Sequence, residues 1–456
     1  MINEKRVTKS FENAKEVYSA FGVDVEKVLE KFDKIPISIP CWQGDDIIGF
    51  EPKGAGASGG LMVTGNYPGL PRNPDEYRQD LEKCISYVPG SLKVNLHSSY
   101  GENYEHGIDR DEYAPRHFKG WVEWAKENGV LPYDEEKGSG TLRHIYIRWV
   151  EWAKENGVGL DMNATTFSHP LAQSGLTISS TDEGIRAFWV RHMQAVREIA
   201  EYIGKELGQV CVFNTWVQDG MKDMPANRML YRARMKKSFD EIFSAKKIST
   251  EYVYDALEPK LFAVGVESYT VGSNDFYLSY HQYARANKIG NTIMNLDMGH
   301  FHCEESVADK ISSVMLFSDK FMAHFTRGIR WDSDHVLIND EKTNDMMREI
   351  IRSGVLDDTF FGTDYFDASI NRVAAWTIGT RAVKRALLTA MLEPVGMLEK
   401  AEASGDFTLR LAMMDEFRSL PSNAVWEYYC QSKGVSIGLE WMEDLKKYEK
   451  EVMFKR

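Results

Sequence analysis

Cysteine is scarce in this chain: five in 456 residues. Cys41, Cys84, Cys211, Cys303 and Cys430 are scattered, odd in number and never in a Cys-x-x-Cys pair. That pattern excludes a disulfide framework or a thiolate zinc cage, and is the one expected of reduced thiols in a cytoplasmic protein. Long apolar runs are missing too. No stretch reaches the roughly 18 apolar residues of a membrane-crossing helix, so no membrane partner is expected. Residues 1–6 lead into charged helical sequence without an apolar core, which does not read as a secretory signal. Cations are in deficit, with 55 Lys and Arg against 68 Asp and Glu and a formal net charge of -13. Nucleic-acid phosphates need clustered Lys and Arg, so a nucleic-acid partner is not expected. The absence of a Gly-rich phosphate loop also counts against a sugar-phosphate or phosphodiester hydrolase. The surplus carboxylates suit solubility and hard divalent cations alike, and composition alone does not choose between them.

What the chain does have is alternation. Short β-rich runs at 35–42, 92–97, 158–163, 209–215, 252–258, 292–297, 322–326 and 359–364 alternate with amphipathic stretches such as 182–207 and 306–317. Eight βα units predict an α/β fold closed as a (β/α)8 barrel, with additional N- and C-terminal helices. The seventh run is the most ambiguous, because 317–326 could continue a helix. Residues 1–388 are expected to form the barrel domain with N-terminal helices and an inserted, duplicated segment near 121–158. Residues 389–456 are expected to form a C-terminal helical extension.

Most of these runs close on or beside a residue able to do chemistry: His97, Trp216, Glu258, Asp297 with His300, His324 and Asp364. In a parallel barrel the strand C-termini open onto one face, so residues far apart in sequence converge there. Two clusters stand out. Leu296-Asp297-Met298-Gly299-His300 sets a carboxylate and an imidazole about a glycine turn, and Arg330-Trp331-Asp332-Ser333-Asp334-His335 carries an Asp-x-Asp followed by histidine. Glu258, Asp297, His324 and Asp364 would make one ligand set for a hard divalent cation. His300, Asp332 and Asp334 would make a second set with open positions for water or substrate.

On these residues the chain resembles the L-rhamnose isomerase family. The resemblance is carried by residues 41–46 (Cys-Trp-Gln-Gly-Asp-Asp), 64–69 (Thr-Gly-Asn-Tyr-Pro-Gly), 296–302, 330–335 and 366–372 (Phe-Asp-Ala-Ser-Ile-Asn-Arg), which follow the family's order. It implies that Glu258, Asp297, His324 and Asp364 hold a structural metal, that His300, Asp332 and Asp334 hold a catalytic one, and that both are manganese. It implies that Lys260 contacts the sugar near C1, and that His97 and Trp216 lie in the substrate pocket. The chemistry would move hydrogen between C1 and C2 of an aldose, with metal polarising the carbonyl, Lys260 stabilising charge on O1, and water beside Asp332 or Asp334 carrying the hydroxyl proton. Plainer roles exist for three of these: a salt bridge from Lys260 to Glu258, a structural His97, and core packing for Trp216. The family is typically homotetrameric, and the aromatic-rich C-terminal segment could pack on a neighbouring subunit. The alternatives are an isomerase acting mainly on D-allose or D-xylose, or a barrel disabled by its duplication and acting as a binding protein.

That duplication is a perfect direct repeat. Residues 121–130 (Trp-Val-Glu-Trp-Ala-Lys-Glu-Asn-Gly-Val) recur letter for letter at 149–158. Only one docking groove is expected for the apolar face of this helix. Continuity with the upstream residues 116–119 favours the first copy as the one that docks.

Overall fold

The computed structural model describes residues 4–50, 63, 65–101, 109–111, 149–261, 268–329 and 334–456. Among the described residues eight strands build the barrel: β1 (Ile37–Pro40), β2 (Leu92–His97), β3 (Gly159–Asn163), β4 (Cys211–Trp216), β5 (Val253–Glu258), β6 (Thr292–Asp297), β7 (Phe321–Phe325) and β8 (Thr359–Thr363). They are parallel and close into a barrel in chain order, with β1 pairing both β2 and β8. The ambiguous seventh run is a strand. All of Phe-Met-Ala-His-Phe is buried between β6 and β8, as a parallel strand covered on both faces requires. Strand ends differ slightly from expectation. Beyond Pro40 the chain turns as a 3-10 segment, Cys41–Gln43, because pairing with β2 stops at Asn95.

Helices form where their caps stand in the sequence. Asp182 accepts hydrogen bonds from the backbone N–H groups of Gly184 and Ile185 and starts the helix Glu183–Leu207; Gly208 ends it at φ +63°. At the chain ends, Glu4–Ala20 packs on Ser422–Ser432 through stacked Phe11 and Tyr428 rings, 3.7 Å apart. Arg456 reaches back to Asp80 with bonds of 2.6 and 2.9 Å. Among the described residues no helix is long and apolar enough to cross a membrane.

The barrel interior has two layers. Val212, Ala256, Ile293 and Met322 form a small apolar cluster at the N-terminal end. Nearer the mouth the inward residues are amides. Asn163 donates to Asn95 at 3.2 Å, and Asn295 donates to Asn214 at 3.1 Å. These bonds tie neighbouring strands together beneath the mouth, with Asn95 Nδ2 and Asn295 Oδ1 left without a partner among the described residues.

The second repeat copy, not the first, occupies the docking groove. Residues 149–156 are helical, Trp149 is fully buried, and its indole N–H donates to the Tyr100 carbonyl at 3.0 Å. Its ring meets Tyr77 edge-on, under the Arg78 guanidinium, while Trp152 donates to Glu82 at 2.7 Å. The first copy lies outside the described residues. Loop entropy explains the correction. The second copy runs straight into β3 through a tight turn, in which Gly157 sits at φ +63° and Val158 N–H bonds the Ala153 carbonyl at 2.9 Å. Docking the first copy would open that turn into a long excursion. Leaving the surplus upstream lengthens a connection that is already long, and each doubling of a loop costs only about 0.6 kcal/mol.

This arrangement makes a prediction. Because the copies are identical, deleting residues 131–158 yields the same sequence as deleting 121–148, and either leaves one copy joined to β3. The surplus stands in the connection from β2 to the docked helix, on the mouth side of the barrel. The described residues that form the cluster and line the cavity come from other segments, so the shortened chain is expected to retain its turnover within about twofold. A steady-state assay of the purified deletion protein checks this; a loss of turnover would place the insert at the site.

Candidate active site and metal-binding cluster

Four strands deliver the central side chains. Glu258 ends β5, Asp297 ends β6, His324 is the penultimate residue of β7, and Asp364 directly follows β8. Register brings them level: Asp297 lies opposite His324, and His324 opposite Gly362. Glycine is needed at 362, where a Cβ would stand 2.7 Å from the imidazole Cδ2 of His324. The turn after β6 brings in His300, and Gly299 lets Asp334 approach, since a Cβ there would collide with its Oδ1.

Members of both ligand sets named from the sequence stand close together here. Glu258, Asp297, His300 and Asp364 each offer a ligand atom, and all four atoms lie within 4.8 Å of one another. His324 Nδ1 stands 3.5 Å from Glu258 Oε1, 3.5 Å from Asp297 Oδ2 and 3.9 Å from Asp364 Oδ2. Asp334 bears on Asp364 electrostatically. Asp332 lies outside the described residues.

The donors suit a divalent cation. Glu258 Oε1, Asp297 Oδ2 and both ring nitrogens of His324 are buried and make no hydrogen bond among the described residues, although they face one another at ion-pair distance. Buried polar atoms without partners are costly, and carboxylate oxygens with imidazole nitrogens are the donors that Mg²⁺ or Mn²⁺ accepts. Electrostatics agree. Burial pushes Asp364 well above the usual carboxylate range, and Asp334, Asp297 and Glu258 push it further. Burial also opposes ionisation of Glu258, but the flanking His324 and His300 rings hold it well below its ordinary value. Burial likewise disfavours the charged form of His300, yet Asp297 and Glu258 outweigh it and raise the ring to about 9. The cluster therefore calls for positive charge, whether from protons on its imidazoles or from a metal ion.

Around it lies a cavity lined by Trp42, His97, Phe167, Trp216, Lys260 and Phe366, among others. Lys260 Nζ stands 3.1 Å from His300 Nε2 and 5.4 Å from the Trp216 ring centroid. Trp216 lines the cavity, and its indole N–H is buried without a hydrogen-bond partner among the described residues. His97 bonds Thr165 Oγ1 at 2.9 Å through Nδ1. Burial, aided by Arg110, depresses its pKa to about 3, so at neutral pH it is an uncharged ring.

Sequence reasoning gave no role to two groups that act here. The Trp42 indole donates to Asp364 Oδ1 at 2.9 Å and meets the His97 ring edge-on. The Asn214 amide donates to Glu258 Oε2. Trp42 could have been found by the strand-end rule, since it follows β1. Asn214 shows in sequence only as a polar residue inside an apolar strand.

Fold and site together define a class: a (β/α)8 barrel with a buried, cation-ready cluster of carboxylates and imidazoles at its C-terminal mouth, beside a cavity walled by aromatic rings. The sequence model of the L-rhamnose isomerase family matches residues 5–138 and 135–456, so the two repeat copies fall in different stretches. L-rhamnose isomerases of Citrobacter koseri, Enterobacter sp. (strain 638) and Escherichia coli (strain K12) are each 44% identical to the chain over 451 residues, covering 99% of both sequences. The chain belongs to the L-rhamnose isomerase family.

Proposed function

We propose that this chain interconverts L-rhamnose and L-rhamnulose, and that the cluster around Glu258 holds the metal for the reaction. The observation that carries the reading is the group of buried carboxylate and imidazole atoms gathered at the barrel mouth, in a chain of this family. Glu258, Asp297, His324 and Asp364 are assigned to one cation and His300, Asp332 and Asp334 to a second, both Mn²⁺. When bound, these ions supply Lewis acidity toward the sugar oxygens.

The balance of the reaction sets what the side chains must do. Aldose becomes ketose when hydrogen passes from C2 to C1 and a proton passes from O2 to O1. Lys260 Nζ, held over the Trp216 ring, stabilises negative charge developing on O1. Asp334 takes and returns the hydroxyl proton. The indole N–H of Trp216 is available to a sugar hydroxyl, and neutral His97 adds an uncharged polar edge to the wall. Trp42 and Asn214 orient Asp364 and Glu258, and the aromatic wall excludes bulk water from the reacting carbons.

Assembly as a homotetramer in the cytoplasm belongs to the same reading. It is supported by the helix Phe407–Glu416, which buries none of its residues and exposes Phe407, Leu409 and Leu411, and by five free thiols. The test is ketose formation from L-rhamnose after exhaustive chelation, with and without Mn²⁺ restored. Activity is expected to vanish on chelation and return with Mn²⁺. Turnover unaffected by chelation, or none on L-rhamnose in the Mn²⁺-loaded protein, would overturn the proposal.

A further inference from the structure

Three of the sequence stretches that carry the family resemblance, 41–46, 64–69 and 366–372, supply none of the cluster's ligands. In the structure their described residues hold one another. Gln43 and Asp367 exchange hydrogen bonds, side chain to carbonyl at 2.9 Å and backbone N–H to side chain at 2.8 Å. Tyr67 N–H donates to the Ala368 carbonyl at 2.8 Å. Arg372 sits at the junction, only 2% exposed. It forms a two-pronged pair with the Asp46 carboxylate at 2.8 and 2.6 Å, and donates its remaining prong to the Tyr67 carbonyl at 2.8 Å.

What these bonds hold is strained. Asp46 and Ile47 adopt φ +61° and +63° in succession. Aspartate tolerates that left-handed region, but a β-branched residue is a clear outlier in it. Such a conformation persists only when its surroundings over-determine it. They do so here. Arg372 fixes Asp46, the buried Asp45 accepts from the Tyr100 hydroxyl and from Gly49 N–H, and Ile47 N–H returns to the Trp42 carbonyl at 3.1 Å. The product of the strained turn is that Ile47 lines the cavity beside Trp42, whose indole bonds Asp364.

We propose that the three stretches form a clamp, with Asp46 and Arg372 as positioning residues, that holds residues 45–47 in their left-handed turn and so sets how tightly the cavity grips its sugar, without acting in the hydrogen transfer. This rests on the cavity being the sugar site. Asp46 and Arg372 bond each other and the Tyr67 carbonyl rather than the groups assigned to the chemistry, and their link to the cluster runs only through Trp42, whose indole bonds Asp364. Loosening the clamp therefore raises KM more than it lowers kcat.

The experiment compares Asp46→Asn and Asp46→Ala with the unaltered, Mn²⁺-loaded protein on L-rhamnose. Asparagine tolerates the left-handed turn and keeps one bond to Arg372; alanine does neither. KM is expected to rise about tenfold in Asp46→Ala and less in Asp46→Asn, with kcat within about twofold. Sugar binding, followed by quenching of the fluorescence of Trp42 and Trp216, is expected to weaken in the same order. A purely structural role would instead lower kcat in proportion to the folded fraction, leaving KM and sugar affinity unchanged. That outcome, or equal values in all three proteins, overturns the clamp. If the unaltered protein neither converts nor binds the sugar, the reading of the cavity falls first, and the clamp with it.

Discussion

Glu258→Gln is expected to lower turnover by more than about 100-fold and to weaken Mn²⁺ binding in parallel. Groups that merely orient a metal ligand typically contribute about 10–100-fold, and Glu258 is itself a member of the cluster. The exchange keeps the shape of the side chain, so Asn214 below still finds an oxygen to bond. It removes the negative charge that faces His300 Nδ1 at 3.2 Å and His324 Nδ1 at 3.5 Å. It also removes one of the charges that repel ionised Asp364. The fold is therefore expected to survive the loss of function, because less like charge is left buried at the mouth. Calorimetric titration with Mn²⁺, steady-state turnover and a circular-dichroism melt separate the two effects. Full turnover and unchanged metal stoichiometry in a folded variant would show that Glu258 is not a ligand.

Trp149→Ala is expected to destabilise the protein by about 3–5 kcal/mol, the usual range for emptying a fully buried tryptophan site. The loss combines the cavity left against Tyr77 and Trp152 with the hydrogen bond to the Tyr100 carbonyl. Trp121→Ala, the same substitution in the other repeat copy, is expected to change stability by less than about 0.5 kcal/mol, because one groove takes one copy. Urea unfolding midpoints of the two variants decide the matter. Equal losses would mean that both copies are packed. A small loss from each, with a large one from the double variant, would mean that the copies substitute for one another in the groove.

Much of the mouth was legible because a parallel barrel turns strand order into spatial order. Once eight strands are recognised, residues at their C-terminal ends must converge. Glu258, Asp297, His324 and Asp364 follow from that rule, and so do His97 and Trp216 at the cavity. Trp42 and Asn214 were missed for different reasons. Trp42 closes the first run and so falls under the rule, but its role was hidden because its contact with Asp364 crosses the closure of the barrel between β1 and β8. Asn214 points inward below the mouth, where an apolar residue is the ordinary expectation. The closeness of His300 to Glu258 was out of reach, because it depends on how a glycine turn folds back over β6.

The sequence by itself determined the elements and their order, since hydrophobic period, capping residues and strand-end polarity are local properties of the chain. It also determined the family, through stretches of residues in a shared order. Tertiary structure alone decided which of two identical segments fills the groove, how the buried donors group, and that three distant stretches close on Arg372 around a strained turn. The physical reason is common to all three. Each outcome depends on loop-closure entropy or on contacts between segments far apart in the chain, and no local pattern of residues encodes either.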